Sequence, residues 1–139
     1  MKTLEASAKI RVRFSEVDSM AIVWHGSYVK YLEDAREEFG IKYDLDYMSV
    51  YKKGYMTPVV KLDIKYLSPL LYEDTAVIKI TFIDSPAAKI NFKYEIVNDR
   101  TGETVITAET TQVFIDAQSR ELELTMPQFF EEWKKEQGL

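Results

Sequence analysis

The chain has 139 residues, with 18 Lys and Arg against 23 Asp and Glu, which leaves a formal net charge of −5 at pH 7. It has no cysteine, which excludes disulfides, iron–sulfur clusters, thiolate zinc sites and a cysteine nucleophile. Its one histidine, His25, excludes a multi-histidine metal site within one chain. The acidic balance argues against a nucleic-acid binder, which normally carries a basic stripe.

The length is that of one domain, and we expect a single domain over residues 1–139. A hydrophobic fraction of 46% is typical of a chain with its own core and not of a disordered one. No apolar run approaches the ~20 residues of a membrane span. The first residues lack the apolar segment of a signal peptide, so we expect a cytoplasmic protein.

The first regular pattern in the chain is an alternation over residues 9–15, which predicts a half-buried strand that includes Phe14. From about Gly26 the spacing of apolar residues lengthens to that of a helix. The apolar positions of this helix are Tyr28, Leu32, Ala35 and Phe39. They predict one long amphipathic helix that ends near Gly40, with a charged opposite face.

Four further strands are predicted after Pro58 from alternating or β-branched residues. They cover residues 62–66, 76–82, 90–96 and 104–116. Residues 99–102 read as a tight hairpin loop, and Pro127 as the first residue of a short final helix. Strands joined by short turns pair antiparallel. The predicted class is therefore α+β, an antiparallel five-stranded sheet with one long helix, whose other sheet face meets water or a partner subunit.

The segment between the first strand and the helix carries the candidate chemistry. Asp18 precedes an apolar stretch that ends in His25, at the predicted helix start. Helix N-termini carry free N–H groups and partial positive charge, so a carbonyl oxygen placed there would be polarised, as acyl transfer requires. Asp18 could supply a base or a nucleophile, and Gly26 would allow a ligand close to the backbone.

Plainer interpretations of the same residues remain open at this point. Asp18 could be a turn residue and His25 a helix cap or a packed ring. Lys61 and Lys65 lie on one strand face, where they are either solvated or available for a phosphate. An aromatic and methionine-rich connector over residues 47–56 could line an acyl pocket or simply pack. Spacing alone therefore indicates an α+β domain with an acyl-transfer site as one option.

A block without gaps between the first strand and the helix carries a family signature. Its matching residues are Arg11-Val12, Val17-Asp18, Ala21-Ile22-Val23-Trp24-His25 and Tyr28. This block resembles the 4-hydroxybenzoyl-CoA thioesterase-like family, in particular its Tol-Pal-associated acyl-CoA thioesterase branch. The likeness continues through residues 31–36 and 59–74. Three positions depart from the family pattern, with Val17 for Thr or Cys, Ala21 for Gly and Ser27 for Asn.

The resemblance implies a hotdog fold, in which an antiparallel five-stranded sheet wraps around one long helix. It also implies a homodimer, often paired into a tetramer, with two active sites at the dimer interface. The implied reaction is hydrolysis of the thioester bond of an acyl-CoA or an acyl-carrier protein to a free acid and a thiol. No cofactor is implied apart from the coenzyme A of the substrate, and no metal.

The resemblance also assigns roles to single residues. Asp18 would be the catalytic carboxylate, which either activates water or attacks the thioester carbonyl itself. The backbone N–H of His25 would polarise that carbonyl, and its imidazole could orient water or donate a proton. Gly26 and Ser27 would shape the helix start around the thioester. For substrate binding, the pantetheine arm would lie near Val59 and Val60, and the phosphates near basic residues that include Lys61 and Lys65.

Three alternatives stay open. A hotdog hydratase or dehydratase of enoyl thioesters could use Asp18 and His25 as a proton-transfer pair. A binding module or scaffold could hold an acyl-CoA or an acyl-carrier protein without turnover. A thioesterase could instead use a helix carboxylate, Glu33 or Asp34, although the charged helix face on which both are predicted disfavours this arrangement.

Overall fold

The structure is a computed structural model, and it describes residues 3–139. Its elements in chain order are β1 (Glu5–Arg11), α1 (Ser27–Tyr43), α2 (Tyr47–Lys52), β2 (Tyr55–Met56), β3 (Val59–Tyr66), β4 (Thr75–Ile83), β5 (Lys89–Asn98), β6 (Thr104–Val113), β7 (Ile115–Asp116) and α3 (Gln128–Glu136). A short 3₁₀ turn, Phe14–Glu16, follows β1. None of the helices in this described part is long and apolar enough to cross a membrane.

Five strands form one antiparallel sheet in the order β1-β4-β5-β6-β3, and the short β2 and β7 pair separately. The long helix α1 packs on one face of the sheet, against β1 and β4. The predicted α+β class, with an antiparallel five-stranded sheet and one long helix, is confirmed.

The core lies between α1 and the inner face of the central strands. The predicted helix stripe is buried, and so are the alternating residues of β4 and β5. These residues are Tyr28, Leu32, Ala35, Phe39, Ala76, Ile78, Ile80, Phe82, Ile90, Phe92, Tyr94 and Ile96. Fully burying one large apolar side chain contributes ~1.5–3 kcal/mol. The apolar stripe of α1 and the alternating apolar residues of β4 and β5 can be buried together only if α1 packs on this face of the sheet.

The position of β1 corrects the sequence prediction. The strand begins at Glu5 and ends at Arg11, where its partner β4 begins with Thr75. Beyond Arg11 the Val12 N–H makes one more backbone bond, to the Asp74 carbonyl at 2.8 Å, and the chain then turns away into the 3₁₀ turn. Phe14, predicted to be a strand residue facing the core, starts the 3₁₀ turn and is 76% exposed.

The end of α1 is also different from the prediction. The helix continues past Gly40 to Tyr43, and Asp44 takes the left-handed C-cap conformation with φ 57°. Gly40 is buried because the following chain folds back onto it. A Cβ at Gly40 would lie 2.8 Å from the Cα of Asp46. A close backbone approach, and not helix termination, requires the glycine here.

Two predicted boundaries near the C-terminus shift as well. The strand predicted over residues 104–116 is divided, because Phe114 leaves the β6 ladder to enter the core and β7 pairs with β2. Helix α3 begins at Gln128, with Pro127 as its N-cap residue instead of its first helical residue. The sequence patterns did not predict α2 or β2, which both lie in the connector over residues 47–56.

The connection over residues 67–74 links two strands that are not neighbours. Strand β3 lies at the sheet edge beside β6, whereas β4 lies near the opposite edge. The connection starts on β6, where Leu67 and Ser68 both donate to the Val105 carbonyl, and Leu70 is buried in the core. This crossing brings the middle of the connection beside the start of α1.

Candidate active site

The segment between β1 and α1 folds back on itself as a narrow loop. Val17 and Val23 form an antiparallel bridge, and the Asp18 N–H donates to the Ile22 carbonyl at 2.8 Å. At the tip, Ala21 has a φ of 62°. This left-handed conformation is one that glycine adopts without strain, which is a physical reason for glycine at the matching position of the family pattern.

The loop is attached to the crossing connection. The Val23 N–H donates to the Leu70 carbonyl at 2.9 Å, and the Tyr72 N–H donates to the Ala21 carbonyl at 3.1 Å. These backbone bonds hold the loop although it lies outside the five-stranded sheet. Asp18 is therefore presented from an anchored segment.

The start of α1 leaves backbone donors free. Gly26 is the N-cap residue, and the Ser27 N–H donates to the Trp24 carbonyl at 2.8 Å. Within residues 3–139, no acceptor receives the backbone N–H of His25 or of Gly26. Unpaired N–H groups at a helix start can bind a carbonyl oxygen and stabilise negative charge on it.

The Trp24 indole lies over Gly26. A Cβ at position 26 would lie 2.2 Å from the indole ring, and the ring centroids of Trp24 and His25 are 4.9 Å apart. The close approach to Gly26 is thus made by the Trp24 side chain of the same chain, which is 52% exposed.

The predicted catalytic residues Asp18 and His25 line one cleft of about 430 Å³, together with Ile22, Tyr28 and Tyr66. Asp18 is half-buried and His25 is exposed. The Asp18 Oδ1 accepts from the Met20 N–H at 2.8 Å, and within residues 3–139 its Oδ2 has no hydrogen-bond partner. The cleft therefore combines a carboxylate with free capacity and the open helix start.

Tyr66, which the sequence analysis did not select, joins β3 to the helix start. Its hydroxyl donates to the His25 carbonyl at 3.0 Å, and its ring packs edge-on against Tyr28. Alternation in β3 was the available signal, since it places Tyr66 on the sheet face that carries α1. The 41-residue separation from His25 concealed the contact.

The predicted substrate-binding residues lie in three places. Gly26 and Ser27 are at the helix start, where the Ser27 hydroxyl is buried and donates to the Glu16 carbonyl at 3.1 Å. Val59 and Val60 are exposed at the beginning of β3. The length of β3 puts them ~20 Å from the Tyr66 end, so they do not line the cleft of the same chain.

Lys61 and Lys65 lie on the outer face of β3, opposite Thr111 and Thr107 of β6. This is the sheet face directed away from α1. Lys65 lines a shallow groove there of about 430 Å³, which also contains Lys79, Lys93 and several carboxylates. Neither lysine lines the cleft of Asp18 and His25.

A second, larger cavity of about 690 Å³ lies between the second half of α1 and the segment that leads into β3. Its apolar wall includes Phe39 and Phe92, and the connector contributes Tyr47 and Met56. Glu33 also lines this cavity, whereas Asp34 does not. The charged residues predicted for the outer face of α1 are nevertheless exposed, and Glu33 borders this cavity while it remains exposed.

The described residues offer no ready metal site. Across residues 3–139, no group of three His, Cys, Asp or Glu side chains is placed to hold a metal ion.

Comparison with known proteins gives a consistent result. A family model described as the thioesterase-like superfamily matches residues 12–134. A Bacillus subtilis protein that carries a provisional acyl-CoA thioesterase name, YneP, is 34% identical over 111 residues, which is 80% of each chain. The structure of a Staphylococcus aureus DHNA-CoA thioesterase is similar with a TM-score of 0.84 and 26% identity, covering 97% of this chain and 92% of that one.

A variant 4-hydroxybenzoyl-CoA thioesterase, solved with 4-hydroxybenzoyl-CoA, shares the fold at a TM-score of 0.80 and 20% identity, over 94% of this chain and 98% of that chain. These likenesses confirm the hotdog fold that the sequence resemblance implied. With a family match across most of its length, the chain belongs to the thioesterase-like superfamily.

Proposed function

We propose that this protein is an acyl-CoA thioesterase in which Asp18 and the start of α1 form the reaction centre. The observation that carries this proposal is the shared cleft, bordered by a carboxylate with a free oxygen and by His25 at an open helix start. The reaction consumes water and an acyl thioester and releases a carboxylic acid and a thiol. Coenzyme A enters as part of the substrate, and the proposal includes no other cofactor.

In the proposed mechanism the thioester carbonyl oxygen accepts a hydrogen bond from the backbone N–H of His25. The negative charge of the tetrahedral intermediate develops on that oxygen, and one such preorganised donor typically contributes ~10²–10³ in rate. Asp18 either takes a proton from an attacking water or attacks the carbonyl carbon to give a mixed anhydride that water then cleaves. Either route breaks the carbon–sulfur bond, and the leaving thiolate takes up a proton, which the exposed His25 imidazole could supply.

We propose that the complete site forms between two copies of the chain. Strand β3 lies at the sheet edge, and its side chains Val60, Leu62 and Tyr66 are 59%, 42% and 52% exposed. An exposed apolar edge strand favours pairing with another strand. Antiparallel pairing of two β3 strands about a two-fold axis would place Val59 and Val60 of one copy beside the cleft of the other.

This arrangement supports the remaining binding assignments. The pantetheine arm would pass Val59 and Val60 across the interface, and the second cavity would adjoin the cleft of the other copy to receive the acyl group. Lys61 and Lys65 stay candidates for binding the phosphates of coenzyme A, because both belong to the same edge strand and lie on its outer face. Two finer assignments rest on the sequence resemblance alone: the Tol-Pal-associated branch and the pairing of dimers into a tetramer. A cytoplasmic location stays a prediction from the sequence pattern.

A second candidate for the catalytic carboxylate is Glu33. It lines the second cavity, which the proposed pairing would bring next to the cleft, whereas its neighbour Asp34 does not. Glu33 is exposed, as the sequence predicts, so it borders the cavity while it is also in contact with solvent. The two carboxylates Asp18 and Glu33 therefore need separate tests.

The decisive experiment follows thiol release from a panel of short, long and aromatic acyl-CoAs and from acyl-carrier-protein thioesters, for wild type, Asp18→Asn, Glu33→Gln and the matched control Asp34→Asn. We expect Asp18→Asn to lower kcat at least ~100-fold, since it removes a group that acts on the reacting atoms. The kcat of Glu33→Gln should stay within about fivefold of the wild-type kcat, and the kcat of Asp34→Asn should equal it.

Other outcomes point to specific alternatives. Loss of activity in Glu33→Gln but not in Asp18→Asn would move the catalyst to the helix. Tight acyl-CoA binding by the wild type without any thiol release would favour a binding module. Addition of water to an enoyl thioester, seen as loss of its conjugated absorbance without thiol release, would favour a hydratase.

A further inference from the structure

Glu16 is a buried carboxylate that the reaction does not use. Only 5% of the residue is exposed, and its Oε1 accepts two hydrogen bonds, from the Arg13 N–H at 2.8 Å and from the Tyr31 hydroxyl at 2.9 Å. The guanidinium of Arg13 lies 3.9 Å from the other oxygen. Burial of a carboxylate is costly unless such partners compensate it. The contacts therefore indicate a specific task for Glu16.

The main chain of Glu16 is bonded to the helix start as well. Its carbonyl accepts from the Ser27 hydroxyl at 3.1 Å and from the Trp24 N–H at 2.9 Å. Ser27 and Tyr31 are four residues apart in α1, so they lie on the same helix face. One residue of the loop is thus attached to α1 at two points, one turn apart.

The hydrogen bonds of Glu16 connect residues near Asp18 with residues near His25. Asp18 follows Glu16 by two residues, and Trp24 immediately precedes His25. The bonds of Glu16 therefore set the position of the Asp18 carboxylate relative to the free N–H groups at the helix start. Burial and the contact with Glu16 raise the pKa of Tyr31 above its ordinary value, so its hydroxyl remains a donor to Glu16.

We propose that Glu16 and Tyr31 are positioning residues for the thioesterase reaction, which hold Asp18 in register with the start of α1. This inference rests on the proposed function, since it assigns Asp18 the reactive role. Neither residue lines the cleft, so their effect passes through the loop. A displacement of about 1 Å between a catalytic group and its substrate can cost ~100-fold in rate, so a partial loosening should be measurable.

The test compares Tyr31→Phe with Tyr43→Phe. Tyr43 is the matched control, because its hydroxyl donates to the Glu5 carbonyl at 3.0 Å near the other end of the same helix. We expect Tyr31→Phe to lower kcat about tenfold with KM within twofold, whereas Tyr43→Phe keeps the wild-type kcat. Both variants should lose a few degrees of Tm, so a stability effect alone would not distinguish them.

Glu16→Gln separates positioning from direct catalysis. The amide retains an oxygen that can accept from Tyr31 and Arg13, so we expect kcat within about threefold of wild type. A loss of ~100-fold or more in Glu16→Gln at unchanged Tm would overturn the positioning role, because it would make the ionised carboxylate itself essential. Wild-type kcat in Tyr31→Phe would also overturn it.

Amide hydrogen exchange over residues 17–26 provides a readout that does not depend on activity. We expect faster exchange there in Tyr31→Phe and not in Tyr43→Phe. If the wild type hydrolyses no thioester, the proposed function fails, while this exchange comparison still tests whether Tyr31 and Glu16 hold the loop. Equal exchange in the two variants would overturn the inference.

Discussion

At the scale of single residues, Asp74 holds the end of the connection that passes the cleft. It is 7% exposed, and its carboxylate accepts from Arg100 Nε at 2.9 Å, Asn98 Nδ2 at 2.9 Å and the Leu71 N–H at 3.0 Å. The hydrogen bond from Arg100 is the main cause that lowers the pKa of Asp74, with the other two bonds adding to it. The structure therefore favours the ionised form.

This pKa shift predicts a pH-dependent effect of Asp74→Asn. At pH 7 the variant should lose about 1–3 kcal/mol of unfolding free energy, because charge-assisted hydrogen bonds are lost. The folded-state pKa lies below the unfolded value of about 3.9, so this stabilisation is complete above that value and disappears as the pH falls through the folded pKa. Urea unfolding at pH 7 and at pH 3 should show the difference between wild type and variant narrowing at pH 3.

Asp99→Asn is the control for this measurement, since Asp99 is exposed in the neighbouring turn and its carboxylate accepts no hydrogen bond from residues 3–139. It should change the unfolding free energy by less than about 0.5 kcal/mol. A stability difference for Asp74→Asn that is the same at both pH values would contradict the assigned ionisation.

At the scale of elements, the junction of α1 and α2 depends on Gly40. In an open helix, glycine to alanine is stabilising by roughly 0.5–1 kcal/mol. At Gly40 a Cβ would lie 2.8 Å from Asp46 Cα and 3.0 Å from the Leu45 carbonyl oxygen, and backbone atoms cannot move aside as a flexible side chain can. We expect Gly40→Ala to destabilise the protein by about 1–3 kcal/mol, measured by urea unfolding.

The sign of the change in unfolding free energy in Gly40→Ala shows which contribution is larger: the better helix propensity of alanine, or the close contact of its Cβ with the backbone of Leu45 and Asp46. Glu38→Ala on the exposed face of the same helix serves as the control and should be nearly neutral. Asp46 caps α2 through the Ser49 N–H and hydroxyl, so a shifted Asp46 should also disturb α2 and the cavity wall it carries. A Gly40→Ala variant as stable as wild type would show that the junction relaxes without cost.

At the scale of the whole molecule, the proposed dimer makes the edge strand β3 essential for activity. Leu62 is 42% exposed in the middle of β3. A lysine there should oppose edge pairing, as charged residues do on natural edge strands. We expect Leu62→Lys to shift the protein from dimer to monomer in light scattering. It should also lower kcat/KM at least tenfold, because within one chain Val59 and Val60 lie ~20 Å from the cleft and reach a cleft only in the dimer.

Leu124→Lys is the matched control, since Leu124 is 84% exposed outside β3. It should leave both the dimer and the activity unchanged. A wild-type protein that is monomeric and fully active, or a dimeric Leu62→Lys variant with normal activity, would contradict the proposed interface.

The sequence by itself determined the long helix, the core faces of α1, β4 and β5, and the segment that carries Asp18 and His25. Periodicity and local chemistry act between residues close in the chain, so they can be read without a structure. The catalytic roles of Asp18 and His25 stay predictions. The Asp18–His25 block also carried the family resemblance, and the fold it implied is confirmed.

Only the tertiary structure decided where elements end and which distant residues meet. β1 stops at Arg11 because β4 begins there, and α1 passes Gly40 because a later segment packs on it. Glu16 reaches Tyr31 across 15 residues, and Tyr66 reaches His25 across 41. The physical reason is that a periodic pattern specifies which face of an element is buried, whereas the partner of that face depends on how the chain crosses the sheet.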